Sequence, residues 1–175
     1  MTMKKKVFLI DDDTSSLRAT LSIIVESSSR LRVVGEYNNG EDGIKDIPKK
    51  SPEIIVMSID LPGKNGIEVT QLIKLQYPHI EVLLVSGYED VETVLAGLKA
   101  GASGYILRSE NFVNMLGAIE EVSFGGAPMS RKIARMVVNV LHINLNSVIS
   151  KRERQVIQMM STGMTYSEIS EALFS

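Results

Sequence analysis

Three short runs of uninterrupted apolar residues, at 7–10, 54–57 and 82–85, constrain this chain more than any other feature. A strand with one face in water alternates apolar and polar residues, whereas a strand covered on both faces reads as a continuous apolar run. Such runs call for helices on both sides of a sheet. Two further short apolar stretches, at 31–34 and 105–107, and an extension of the 82–85 run back to Ile80, complete five predicted strands. Stripes at helical spacing lie between them: Leu17, Leu21 and Ile24; Val69, Leu72 and Ile73; Val94, Leu95 and Leu98; Phe112, Leu116 and Ile119. The segment 40–47 is the weakest predicted helix, and Pro48 is expected to end it. Repeated βα units with short connections predict an α/β fold, a doubly wound five-stranded parallel sheet over residues 4 to about 122.

Composition narrows the chemistry. The 175 residues include no Cys and only two His, His79 and His142, which excludes a disulfide framework and a Cys/His zinc site. Any metal must therefore sit on carboxylates. The lysines at 4–6 resemble the start of a secretory signal, but the apolar run that follows is cut off by Asp11, Asp12 and Asp13. No segment is long enough to span a bilayer, so the expectation is a soluble, cytoplasmic protein with no membrane partner. Charge is uneven along the chain: residues 1–125 carry 13 Lys/Arg against 18 Asp/Glu, and residues 126–175 carry 6 against 3. A weakly basic tail permits contact with nucleic acid without demanding it.

The tail has its own pattern. Gly125-Gly126-Ala127-Pro128 breaks the last helix, and Ser130 can cap a new one carrying Ile133, Met136, Val137, Val140 and Leu141 on one face. This predicts an all-α linker over 123–149 with a helix at about 130–143. After the polar stretch 144–147, two capping boxes, Ser150 with Glu153 and Thr165 with Glu168, predict helices at 151–161 and 166–174 with Gly163 as the stop between them. Such a pair is a helix-turn-helix candidate and equally an αα-hairpin.

In an open parallel sheet, chemistry gathers beyond the carboxyl ends of the strands. The predicted strands deliver Asp11, Asp12 and Asp13 there, then Ser58 and Asp60, Ser86, and Arg108. Carboxylates, hydroxyls and a cation at one sheet end suit a hard divalent cation and a phosphoryl group. Part of the pattern also serves local structure, since Asp13 or Thr14 is placed to cap the first helix.

The phrases Ile10-Asp11-Asp12, Ile55-Val56-Met57-Ser58-Ile59-Asp60-Leu61-Pro62-Gly63 with Asn65-Gly66, Leu84-Val85-Ser86, and Gly101-Ala102-Ser103-Gly104-Tyr105-Ile106-Leu107-Arg108 resemble the receiver domain of two-component response regulators. The tail, Ser150-Lys151-Arg152-Glu153-Arg154-Gln155-Val156-Ile157 and Gly163-Met164-Thr165-Tyr166-Ser167-Glu168-Ile169, is similar to the opening of a LuxR-type helix-turn-helix. Together they resemble the NarL/FixJ class of transcriptional regulators. The resemblance implies a flavodoxin-like receiver at 4–122 with strand order 2-1-3-4-5, a linker at 123–149 and a partial LuxR-type helix-turn-helix at 150–175. It implies a phosphorelay with a histidine kinase as partner, Mg²⁺ held by Asp11 and Asp12, a switch hydroxyl at Ser86, an aromatic switch at Tyr105, and a regulatory role rather than an enzymatic one.

Two positions depart from that pattern. Ser58 stands where the phospho-accepting Asp belongs, and Arg108 stands in place of the fifth strand's Lys. A serine does not form the acyl phosphate of an aspartate and removes one anionic metal ligand, so weak Mg²⁺ binding and a phosphorylation-independent receiver are expected. Asp60 is the candidate replacement ligand, about 6.6 Å further along an extended strand. Arg108 keeps a positive charge as a planar fork.

In LuxR-type domains the helix matching 165–174 is the scaffold helix, and the recognition helix follows it. From residues 150–175 the expectation is therefore non-specific phosphate contact by Lys151, Arg152 and Arg154, with Val156, Ile157, Met160, Ile169, Leu173 and Phe174 exposed. A rival reading is a pseudo-receiver that sequesters a kinase, or pairs with another response regulator or a second copy of itself. A distant third is a flavodoxin-like redox protein, which the same sheet order could serve.

Overall fold

All five apolar runs become strands. The computed structural model describes residues 3–12, 16–148, 151–161, 164, 168, 169 and 172. The strands are β1 (Lys5–Ile10), β2 (Leu31–Tyr37), β3 (Ile54–Ser58), β4 (Glu81–Ser86) and β5 (Gly104–Leu107), all parallel in the order β2-β1-β3-β4-β5. The order reverses between β1 and β3, which places the switch point of the sheet at their carboxyl ends. The intervening helices are α1 (Leu17–Ser27), α2 (Gly40–Lys50), α3 (Gly66–Gln76), α4 (Val91–Lys99) and α5 (Phe112–Ser123).

Strand alternation sorts the core onto two faces. Val7, Leu9, Ile54, Val56, Leu83, Val85 and Ile106 pack with Leu17, Leu21 and Val25 of α1 and with Met115, Ile119 and Val122 of α5. Leu84 and Tyr105, a registered pair on β4 and β5, belong to the opposite face, which α4 approaches closely. A Cβ on Gly97 of α4 would come within 2.8 Å of Leu84 Cδ1, so glycine lets the helix lie this near the sheet without displacing the Leu84 methyl. Gly66 plays a similar part at the start of α3, where a Cβ would collide with the Ser58 carbonyl.

Local chemistry sets the helix starts. Asn65 accepts from the Ile67 and Glu68 N–H groups while Glu68 accepts from the Asn65 N–H, a reciprocal cap on α3. Asn39, Asp90 and Asn111 cap α2, α4 and α5 in the simpler way.

Several expectations need correction. Pro48 does not end α2, which continues to Lys50 before Ser51 turns left-handed at φ 48°. One missing helix bond is tolerated there because Pro48 is exposed and in the last turn. The helix α1 starts at Leu17 behind Ser16 at φ 53°; Asp13 and Thr14, the expected caps, lie outside the described residues.

Beyond α5, the chain passes beside β5. Tyr105 N–H donates to Pro128 O at 3.0 Å, Ser130 N–H donates to Tyr105 O at 3.2 Å, and Leu107 N–H donates to Ser130 Oγ at 2.9 Å. Ser130 thus serves the edge strand, a use its position before a helix does not suggest.

The next helix, α6 (Arg131–Val148), runs five residues past the expected end at 143. The apolar period of Leu141 continues through Leu145 and Val148, which carries the helix across the polar stretch.

The described residues divide into two compact units, Met1–Arg135 and Met136–Ser175, with α6 crossing the division. In the second unit α7 spans Lys151–Ser161, and Met164 N–H donates to Met159 O at 3.2 Å beyond its end. Ile169, expected to be exposed, is buried, whereas Met160 is exposed as expected and Val156 is half-buried. Ser150, Gly163, Thr165, Leu173 and Phe174 lie outside the described residues, as do the side chains of Lys151, Arg152, Arg154 and Ile157. Among the described residues no helix is long and apolar enough to cross a membrane.

Candidate functional site at the carboxyl end of the sheet

Asp11 lies one residue past β1 and extends its ladder, its N–H donating to Tyr37 O at 3.1 Å. It shares the alternation of Val7 and Leu9, and Ser58, the last residue of β3, shares that of Ile54 and Val56. Because β1 and β3 are neighbours, this common face brings the two side chains together. Ser58 Oγ donates to Asp11 Oδ1 at 2.5 Å, and the residues are only 2% and 3% exposed.

Arg108 follows β5 and donates its N–H to Ser86 O at 2.8 Å, continuing the β4 ladder. Its side chain reaches across to the first pair: Nη2 donates to Ser58 Oγ at 3.2 Å and lies 3.5 Å from Asp11 Oδ1. The hydroxyl of Ser58 therefore bridges a buried carboxylate and a guanidinium, donating to one and accepting from the other. Asp11 Oδ2 and Arg108 Nε are buried without a hydrogen bond. Arg18 of α1 adds a bond from Nη1 to Asp11 O at 3.3 Å.

Of the other two predicted metal ligands, Asp12 is half-buried beside Asp11, and Asp60 is turned away, exposed, with its Oδ1 accepting from Tyr88 Oη at 2.9 Å. Among the described residues no group of three or more His, Cys, Asp or Glu side chains is close enough to hold a metal ion. Mg²⁺ is usually held through one or two carboxylates with water completing its six oxygens, so it needs an anionic oxygen that no neighbouring cation already occupies. Here Asp11 Oδ1 already faces a guanidinium, and Ser58 offers a hydroxyl. The residues present do not fit a resident divalent cation.

A second group of side chains sits on the opposite face of the same sheet end. Ser86 ends β4 on the alternation of Leu84, and its Oγ accepts from Tyr88 N–H at 3.0 Å. Tyr105 is fully buried and donates its hydroxyl to Tyr88 O at 2.8 Å. Burial pushes its phenol above the ordinary value of 10.0. Its ring lies near Gly97 of α4 and is wholly buried.

Tyr88 joins these parts: its N–H meets Ser86, its carbonyl meets Tyr105 and its hydroxyl meets Asp60. The hydrogen bond to Asp60, and then the carboxylate's charge, raise the Tyr88 phenol above 10.0. Sequence reasoning missed Tyr88, because it sits between β4 and α4 where no periodicity singles it out.

An open groove of about 810 Å³ runs along α5 and 128–132, lined by Ile106, Val113, Gly117, Met129 and Lys132 among others; Asp11, Ser58, Ser86 and Arg108 do not line it.

Residues 7–120 match the family profile of the response regulator receiver domain. The chain is a response regulator. The strand order β2-β1-β3-β4-β5 is that of the receiver fold, as the resemblance implied. Its relatives include the transcriptional regulatory protein DegU of Brevibacillus brevis, 27% identical over 95% of this chain and 79% of DegU. LiaR of Bacillus subtilis is 29% identical over 97% of this chain and 82% of LiaR.

Among solved structures, a LuxR-family response regulator from Aurantimonas sp. SI85-9A1 superposes with a TM-score of 0.73 at 27% identity, covering 78% of this chain and 97% of that one. Full-length RcsB of Salmonella typhimurium, at 19% identity and a TM-score of 0.72 over 99% of this chain and 84% of that one, shares the fold. Receiver domains typically bind Mg²⁺ at an acidic phosphorylation site; in this response regulator the carboxyl ends of β1, β3 and β5 bring Asp11, Ser58 and Arg108 together.

Proposed function

We propose that this response regulator acts in transcriptional control through a receiver that signals without aspartyl phosphorylation. Ser58 carries the reading. It occupies the acceptor position at the end of β3, and its hydroxyl is engaged by Asp11 and Arg108. Phosphoryl transfer from a phospho-histidine to a carboxylate forms a mixed anhydride, and no carboxylate stands at this position. Asp60 does not replace it, since its carboxylate is turned to Tyr88 on the exposed rim.

In this reading Ser86 and Tyr105 keep a switch role, Asp11 and Asp12 retain at most weak affinity for Mg²⁺, and Arg108 holds the acceptor end. The receiver works by protein contacts in the cytoplasm, with a histidine kinase, another response regulator or a second copy as partner. Residues 4–122 form the receiver and 123–149 the linker, and in 150–175 Lys151, Arg152 and Arg154 approach DNA phosphates without reading bases. DegU and LiaR are named transcriptional regulatory proteins, and a further relative, 26% identical, is the DNA-binding transcriptional activator DevR/DosR of Mycobacterium tuberculosis; these support the transcriptional role.

Incubation with acetyl phosphate and Mg²⁺ followed by intact-mass spectrometry tests the proposal. The expected result is an unmodified chain. A phosphoryl adduct mapped to Ser58, Asp60, Asp11 or Asp12 would overturn it.

A further inference from the structure

We propose that the Arg108 guanidinium is the resident counter-cation of this receiver's acidic end, standing in place of a divalent ion, so that the chain folds complete without metal and binds none there. The inference rests on reading Ser58 as the altered acceptor position and adds a role for the arginine that accompanies it.

The argument is one of charge and hydrogen bonding. A carboxylate as buried as Asp11 is costly unless it is paired and hydrogen-bonded. On Oδ1 the Ser58 hydroxyl at 2.5 Å supplies the hydrogen bond and Arg108 Nη2 at 3.5 Å the opposite charge, while Oδ2 is left without a hydrogen bond. A second carboxylate at position 58 could not donate to Asp11 and would repel it. A hydroxyl can donate to the carboxylate and accept from the guanidinium at the same time, as Ser58 does.

Asp11 and Arg108, the charged pair of the cluster, already neutralise one another, and a divalent ion would leave that pair with two net positive charges. An aspartate at 58 would add an anion that the guanidinium does not balance. Ser58 and Arg108 therefore act as one change: the lost carboxylate removes the demand for a metal, and the guanidinium meets the demand that remains. Arginine suits this position because it is always charged and less strongly hydrated than an ammonium.

The experiment titrates the full chain with Mn²⁺, following free Mn²⁺ by electron paramagnetic resonance, and melts it in EDTA and in millimolar Mg²⁺. Wild type is expected to take up no Mn²⁺ and to melt identically in both buffers. The double variant Ser58→Asp/Arg108→Lys is expected to bind Mn²⁺ at least about tenfold more tightly than Ser58→Asp alone, and to melt higher in Mg²⁺ than in EDTA.

Mn²⁺ uptake or Mg²⁺-dependent melting by wild type would overturn the inference, and so would equal affinities of the single and double variants. The wild-type measurements decide the question even if a variant fails to fold. Metal uptake by wild type without a phosphoryl adduct would sink this inference and leave the proposed function standing. An adduct without metal uptake would do the reverse.

Discussion

The two faces of the sheet end make an instructive pair. On the α1/α5 face, Asp11, Ser58 and Arg108 form a closed polar cluster. On the α4 face, Ser86, Tyr88 and Tyr105 form a chain of hydrogen bonds that reaches outward to Asp60. Strand alternation separates them: neighbouring residues point to opposite faces, so a change at Ser58 leaves the surroundings of Tyr105 untouched. The backbone joins the two, through the β3–β4 and β4–β5 ladders and the Arg108 N–H on Ser86 O. The difference teaches that the side chains of the two faces are fastened by separate sets of hydrogen bonds.

Mutations that load one face and spare the other sharpen this comparison. Tyr105→Ala opens a cavity on the α4 face and is expected to cost about 3–5 kcal/mol in urea denaturation, against about 1 kcal/mol for Tyr105→Phe, which loses only the bond to Tyr88 O. Ser58→Ala leaves Asp11 with a hydroxyl donor fewer and is expected to cost about 1–3 kcal/mol. If the faces are independent, the double variant Ser58→Ala/Tyr105→Phe shows the sum of its single effects to within about 0.5 kcal/mol. A larger coupling would break the comparison.

The smallest effect is a titration. Tyr88 has a raised phenol value in the folded chain, so its hydrogen bond to Asp60 favours the folded state below the ordinary value of 10.0 and that contribution is lost as pH rises through the folded value. Asp60→Asn removes the charge, and NMR of the labelled tyrosine ring is expected to show its midpoint moving down toward 10.0. An unmoved midpoint would mean that Asp60 is not what holds the Tyr88 phenol.

What the sequence makes legible follows the strength of local rules. The strands and their sidedness are readable because burial on both faces leaves uninterrupted apolar runs, and the meeting of Asp11 with Ser58 follows from parity on adjacent strands. Tyr88 is not readable, because its three bonds depend on where a short loop lies and not on any period. The pairing of 128–130 with β5 is hidden for the same reason: three residues are too few to alternate. The reach of α6 to Val148 is hidden because a polar stretch interrupts its apolar period, and the burial of Ile169 is not legible from a short amphipathic segment alone.

The most direct test of the central claim is an amide NMR spectrum of the receiver in the full chain, recorded before and after adding Mg²⁺ with acetyl phosphate or beryllofluoride. An acceptor end closed by Ser58, Asp11 and Arg108 predicts superimposable spectra, with Ser86, Tyr88 and Tyr105 unmoved. Shifts at those three residues on adding the phosphodonor or its mimic would show that the acceptor end still drives the switch, and would contradict the account.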